Sequence, residues 1–99
     1  MIGVGIDVAK AKSMVAILSD DGEIIKAPFE IANTESGLSS LCQIIKEIPD
    51  KVYCVVESTS VYHFPVVSYL QENDIFVSVI NPLIIKKYVS MDIQKVKTD

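Results

Sequence analysis

Hydrophobic positions dominate the first residues of the chain. IGVGIDV at 2–8 is short and largely β-branched, with Gly3 and Gly5 leaving one side bare, and it predicts a buried strand. SMVAILS at 13–19 predicts a second strand, Asp20-Asp21-Gly22 a hairpin turn, and EIIKAPFEI at 23–31 a returning third strand. Pro28 has no N–H to give to a ladder, so the third strand belongs at a sheet edge or is bulged there. Asn33 or Thr34 then caps a helix, with Glu35 in its positive first turn. Leu38, Leu41, Ile44, Ile45 and Ile48 recur at helical spacing and give one apolar face across 34–47, ended by Pro49-Asp50. VYCVV at 52–56 is a continuous apolar strand, the kind covered on both faces in a parallel sheet, and Glu57 closes it. Ser58-Thr59-Ser60 supplies cap-type residues for a second helix reaching Glu72, with Pro65 near its first turn. A fifth strand follows at 75–80. Asn81-Pro82 opens a third helix into LIIKKYV, and 90–99 is expected to be a flexible polar tail.

The order β-β-β-α-β-α-β-α puts a three-strand meander before two crossover units, which must be right-handed. The sheet is then antiparallel in its first half and parallel where strands one, four and five adjoin. That is the ribonuclease-H-like arrangement: an α/β fold with a mixed five-stranded sheet and helices on its faces.

Composition narrows the setting. Ninety-nine residues, 49% of them hydrophobic, are enough for a single domain with one core. No apolar run nears the roughly 20 residues needed to span a bilayer, and the N-terminus has no signal-peptide pattern. A soluble, cytoplasmic protein with no membrane partner is expected. Cys42 and Cys54 stand without a CxxC or a nearby His pair, so they read as reduced, buried small hydrophobes rather than zinc ligands. The net charge of −4 is unevenly spread: residues 1–80 hold five lysines against eleven acids, and 81–99 hold four lysines against two. Those four lysines, Lys86, Lys87, Lys95 and Lys97, are either a solvated face or a phosphate-facing tail. There is no arginine, hence no bidentate grip on phosphate or guanine from this chain.

Asp7 and Glu57 are the candidate chemistry. Each ends an apolar strand, and in this topology the two strands are parallel neighbours, so both carboxylates emerge at the carboxyl edge where open α/β sheets bind ligands. Two carboxylates that close repel, and a cation between them relieves the repulsion. Mg²⁺ or Mn²⁺ suits such oxygen donors and leaves room for phosphate oxygens, as two-metal phosphodiester chemistry requires. Acids at strand ends are also common simply because strands end at the surface, and spacing alone does not separate the two readings.

Four stretches, GIDVAK (5–10), ESTSVYH (57–63), VSVINP (77–82) and KTD (97–99), together resemble the amino-terminal domain of DEDD transposases. These are the recombinases of insertion-sequence family 110, relatives of the pilin-gene invertase Piv. The resemblance spans essentially the whole chain. It implies a domain similar to the Holliday-junction resolvase RuvC, whose four acids bind divalent metal and act in DNA strand cleavage and exchange during transposition and recombination. It makes Asp7 the first acid, Glu57 the second and Asp99 the third, as catalytic and metal-binding residues. It further implies DNA as partner, homo-oligomers of the full-length protein on DNA, and a guide RNA from the parent element. Two departures stand out. Ser60 occupies the place of the family's usual Gly in Glu-x-Thr-Gly-x-Tyr, and the chain stops at the first Asp of Lys-Thr-Asp-Lys-x-Asp-Ala. The expectation is a domain spanning 1–99, truncated before the fourth acid and lacking the serine-bearing helical domain, and so inactive alone.

Thr59, Ser60 and Tyr62 lie beside Glu57 and either orient it, touch a phosphate, or serve capping and packing. Lys10 and Lys12 follow Asp7 on a turn and either meet a phosphate or offset the acid charge. His63, the single histidine, is a general-acid candidate or a helix-surface residue. Two other functions compete. A nucleotide-binding fold of the actin, Hsp70 and sugar-kinase type shares the three-strand opening, yet needs a glycine after the early Asp to cradle phosphates, where Val8-Ala9-Lys10 stand here. A non-catalytic assembly module would make the acids incidental.

Overall fold

The computed structural model describes residues 1–58 and 61–80. Five strands and two helices follow in the order β1 (Ile2–Val8), β2 (Lys12–Ser19), β3 (Ile24–Ala32), α1 (Glu35–Lys46), β4 (Val52–Glu57), α2 (His63–Glu72) and β5 (Val77–Ile80). They form one sheet of order β3-β2-β1-β4-β5. β1 pairs antiparallel with β2 and parallel with β4, and β5 extends the parallel half. This is the mixed sheet expected of a ribonuclease-H-like chain. The third helix from Asn81 and the tail at 90–99 lie outside the described residues.

Strand parity sorts the side chains. Val4, Ile6 and Val8 of β1, Val15 and Ile17 of β2, and Cys54 and Val56 of β4 point to one face and are buried. α1 covers that face with Leu38, Leu41, Cys42 and Ile45, and α2 with Val66 and Leu70, so all of them join a single core. The opposite face carries Gly3, Gly5 and Asp7, then Met14, Ala16 and Leu18, then Tyr53, Val55 and Glu57. Whether β4 is covered on both sides, as its run suggests, turns on residues outside those described. Its run is apolar throughout, yet among the described residues only one face is packed, with Cys54 at 0% exposure and Tyr53 at 40%. Tyr53 tolerates this because its hydroxyl bonds the Ser78 hydroxyl at 2.9 Å and its ring packs against Phe76 at 6.0 Å.

Local chemistry sets the boundaries. The turn after β2 closes with the Gly22 N–H donating to the Ser19 carbonyl, and Gly22 takes a φ of 82° that favours glycine. β3 is an edge strand, and its pairing with β2 shifts register between Val15 and Leu18, so Pro28 is accommodated both ways that a sheet allows. Thr34, not Asn33, caps α1: its Oγ1 accepts from the Gly37 N–H at 3.2 Å. α2 begins at His63, later than the run at 58–60 suggests. Ser58 instead continues the strand edge, its N–H donating to the Ile80 carbonyl, and Thr59 and Ser60 lie outside the described residues. Pro65 falls in the first turn of α2, where its missing N–H has no helical partner to lose. β5 starts at Val77 because Ile75 is spent closing the preceding turn, its N–H donating to the Leu70 carbonyl.

Both cysteines are free and buried, as expected. Burial pushes the Cys54 thiol up to about 11, and the neighbouring Cys42 acts in the same direction. In the unfolded chain this thiol ionises near its ordinary value of 9.0. Between these two values the unfolded state holds fewer protons than the folded one, so stability falls as pH rises. Urea unfolding of the wild type should therefore show a loss between pH 9 and 11, on the order of 2 kcal/mol, that Cys54→Ala lacks. Equal pH profiles for the two proteins would contradict this.

Candidate metal-binding acid pair

Asp7 and Glu57 are placed by the same rule that builds the core. In IGVGIDV the odd-numbered residues face away from α1 and α2, so among the described residues Asp7 projects from the face without a helix and is exposed. In VYCVVE the same parity brings out Tyr53, Val55 and Glu57. The parallel ladder runs in step from Ile2–Val52 to Asp7–Glu57, which makes the two acids direct partners on neighbouring strands, about 4.8 Å apart at the backbone. Both line one shallow cavity of about 290 Å³, floored by Gly5, Met14, Ala16, Pro28 and Val55, with no cationic side chain in its lining.

Among the described residues no third His, Cys, Asp or Glu joins the pair. Asp99, the expected third acid, lies outside the described residues, as do Thr59 and Ser60. Tyr62 is 41% exposed and stands at the start of α2 without a side-chain bond to the helix end. His63 is the first residue of α2, its ring 4.3 Å from that of Phe64, and it does not line the acid cavity. Lys12 forms an exposed ion pair with Glu30 at 3.3 Å across the β2–β3 ladder. Lys10 is exposed on the turn and has no such partner among the described residues. A larger cavity of about 550 Å³ lies at the other end of β1, between Ile2, Ile25 and Ile48, and takes no part in the acid site.

Two residues near the carboxyl end of β1 escape a reading by motif. Ser13 is 1% exposed, and its hydroxyl donates to Asn33 Oδ1 at 2.6 Å. Asn33 Nδ2 in turn donates to the Ala9 carbonyl at 2.9 Å. The available signal was Asn33-Thr34 itself: two cap-type residues adjoin, one helix end needs one cap, and the other side chain is left for a different task.

The strand order and the two crossovers define a ribonuclease-H-like fold. Thermus thermophilus RuvC in complex with a Holliday-junction substrate is similar at 9% identity and a TM-score of 0.62, over 88% of this chain and 68% of that one. Another Thermus thermophilus RuvC structure matches at 11% identity and 0.59, over 83% of this chain and 62% of that one. A putative sugar kinase from Cytophaga hutchinsonii matches at 17% and 0.53, over 82% and 36%. At these identities the likeness is one of fold. The chain spans about two thirds of the RuvC chains that it matches. No curated protein sequence matches it. The family model described as transposase, of the IS110 DEDD type, matches residues 4–99. The chain belongs to this transposase family.

Proposed function

We propose that this chain is the metal-dependent catalytic domain of a transposase that cleaves and exchanges DNA strands, with Asp7 and Glu57 as its metal platform. The observation that carries the reading is the in-step pairing of Asp7 with Glu57 on a sheet face that no described helix covers. Two exposed carboxylates over an uncharged floor are the oxygen donor set that Mg²⁺ or Mn²⁺ takes. Asp7 and Glu57 would hold divalent metal there, and a two-ion site would supply activation of the attacking oxygen by one ion and stabilisation of the departing oxygen by the other. The chain's own acids hold and orient that metal, and the shallow floor leaves the strand-edge side open to a phosphodiester. Asp99 is the third acid by resemblance. Homo-oligomers on DNA and a guide RNA from the element belong to the same reading of the whole protein.

No helix among the described residues is long and apolar enough to cross a membrane. With nine lysines, thirteen acids and no arginine, the chain alone should bind DNA weakly and lose that binding steeply as salt rises. Tight binding at physiological salt, measured by fluorescence anisotropy, would count against this.

The sugar-kinase likeness invites a nucleotide-binding reading, which the turn after β1 disfavours. It has no glycine to let a phosphate approach the backbone, and the Ala9 N–H is already given to the Lys12 carbonyl at 3.0 Å. Titration calorimetry with Mn²⁺ tests the proposal. Heat of binding that disappears in both Asp7→Asn and Glu57→Gln supports the platform; heat unchanged in both variants removes it.

A further inference from the structure

The turn at 9–12 leaves β1 two residues after Asp7, and its polar backbone groups converge on one side chain and one amide. Asn33 donates from Nδ2 to the Ala9 carbonyl at 2.9 Å, and its own backbone N–H donates to the Ala11 carbonyl at 3.0 Å. The carboxamide is fixed at its other end by the buried Ser13 hydroxyl, and the turn is closed internally by the Ala9 N–H on the Lys12 carbonyl. Asn33 is itself held rigidly, lying between the last residue of β3 and the cap of α1. The backbone bond extends the β2–β3 ladder by one rung past Lys12–Ala32, and the carboxamide bond is the additional tie. A turn of four residues needs only its own closing bond, yet this one is tied twice to a residue more than twenty positions away. The turn also separates the fates of its two lysines. Lys12 is neutralised by Glu30, while Lys10 is left as an exposed cation without a partner among the described residues.

We propose that Asn33 is a positioning residue of the acid site, clamping the 9–12 turn so that Lys10 meets a DNA phosphate beside Asp7. The proposal rests on the strand-cleavage reading above. A loose turn would let the lysine sample many directions and lose conformational entropy on each contact. A clamped one has met that loss during folding, so the contact gains from preorganisation. Ser13 is the anchor, because its buried hydroxyl fixes which way the carboxamide points.

Salt dependence of DNA binding separates this role from a merely structural one. Each lysine–phosphate contact contributes about 0.9 to the slope of log K against log salt on duplex DNA. The full chain, Lys10→Ala, Asn33→Ala, Asn33→Asp and the Lys10→Ala/Asn33→Ala double variant would be titrated with a short DNA duplex at several low salt concentrations. Circular dichroism would confirm that each is folded. The expected result is a slope smaller by about one unit in Lys10→Ala, a comparable reduction in both Asn33 variants, and no further loss in the double variant. Asn33→Asp keeps the acceptor for Ser13 and loses the donor to Ala9, so it tests the clamp even if Asn33→Ala does not fold. A reduced slope in Lys10→Ala with an unchanged slope in the folded Asn33 variants overturns the positioning role and leaves the site reading intact. An unchanged slope in Lys10→Ala, or no salt-dependent binding by the wild type, overturns the Lys10 contact and with it the positioning role, while the acid platform stands or falls on the Mn²⁺ titration.

Discussion

Gly37→Ala should unfold much of this protein's stability at a position far from any chemistry. A Cβ at Gly37 would overlap the Ala32 carbonyl oxygen and lie 2.9 Å from its carbon and 3.1 Å from the Ala32 nitrogen. All three are backbone atoms, so no side-chain rotation relieves the overlap. The helix must lift from the end of β3, and with it goes the bond from the Gly37 N–H to Thr34 that caps α1. Overpacking of this kind costs about 3 kcal/mol, which for a domain of this size lowers the melting temperature by about 12–24 °C. Gly5→Ala is the control. Nothing lies within 4 Å of a Cβ built there, so its effect should stay within about 1 kcal/mol. Thermal melts of the two variants side by side decide the matter, and equal melting temperatures would refute the close approach of α1 to β3.

Asp7→Asn should change stability in opposite directions with and without metal. Without divalent ions the wild type folds with two carboxylates held in register, and removing one charge relieves their repulsion, a gain of several tenths of a kcal/mol for exposed groups. With Mn²⁺ at a hundredfold over its dissociation constant the wild type gains about 2.7 kcal/mol, and the variant gains almost none. Glu57→Gln should behave alike, because the ladder makes the two acids equivalent. The sign reversal, read as a crossing of melting temperatures when Mn²⁺ is added, is the signature of a shared ion. Variants that are destabilised under both conditions would indicate instead that the acids support the fold.

Much of this architecture was legible because the chain alternates cleanly. IGVGIDV and SMVAILS announce their strands and faces by parity, and Leu38, Leu41 and Ile45 announce the buried stripe of α1. The strand order followed from the meander and the right-handed crossovers, and with it the pairing of Asp7 with Glu57. What parity could not disclose is coverage. VYCVV is apolar at every position, so periodicity is silent on which face is packed, and only the placement of α1 and α2 on one side shows that Tyr53 and Val55 lie opposite the core. The start of α2 was misplaced for a related reason. Ser58 is as good a cap as a strand residue by composition, and its commitment to the Ile80 carbonyl depends on a partner far along the chain. Asn33 escaped in the same way, since its bonds reach back to Ala9 and Ser13 across more than one strand. Local chemistry marks caps and turns, whereas ties between distant segments appear only once the chain is folded.

The backbone ladder between β1 and β4 also bears on how such a site can be controlled. Since every rung from Ile2 to Asp7 is matched, no hinge lies between the acids, and their spacing can change only if the middle of the sheet comes apart. Under the function proposed above, switching would therefore come from what is delivered to the pair, and not from the two strands moving apart. A mutation elsewhere that silences the domain while leaving it folded should be sought in those delivered parts.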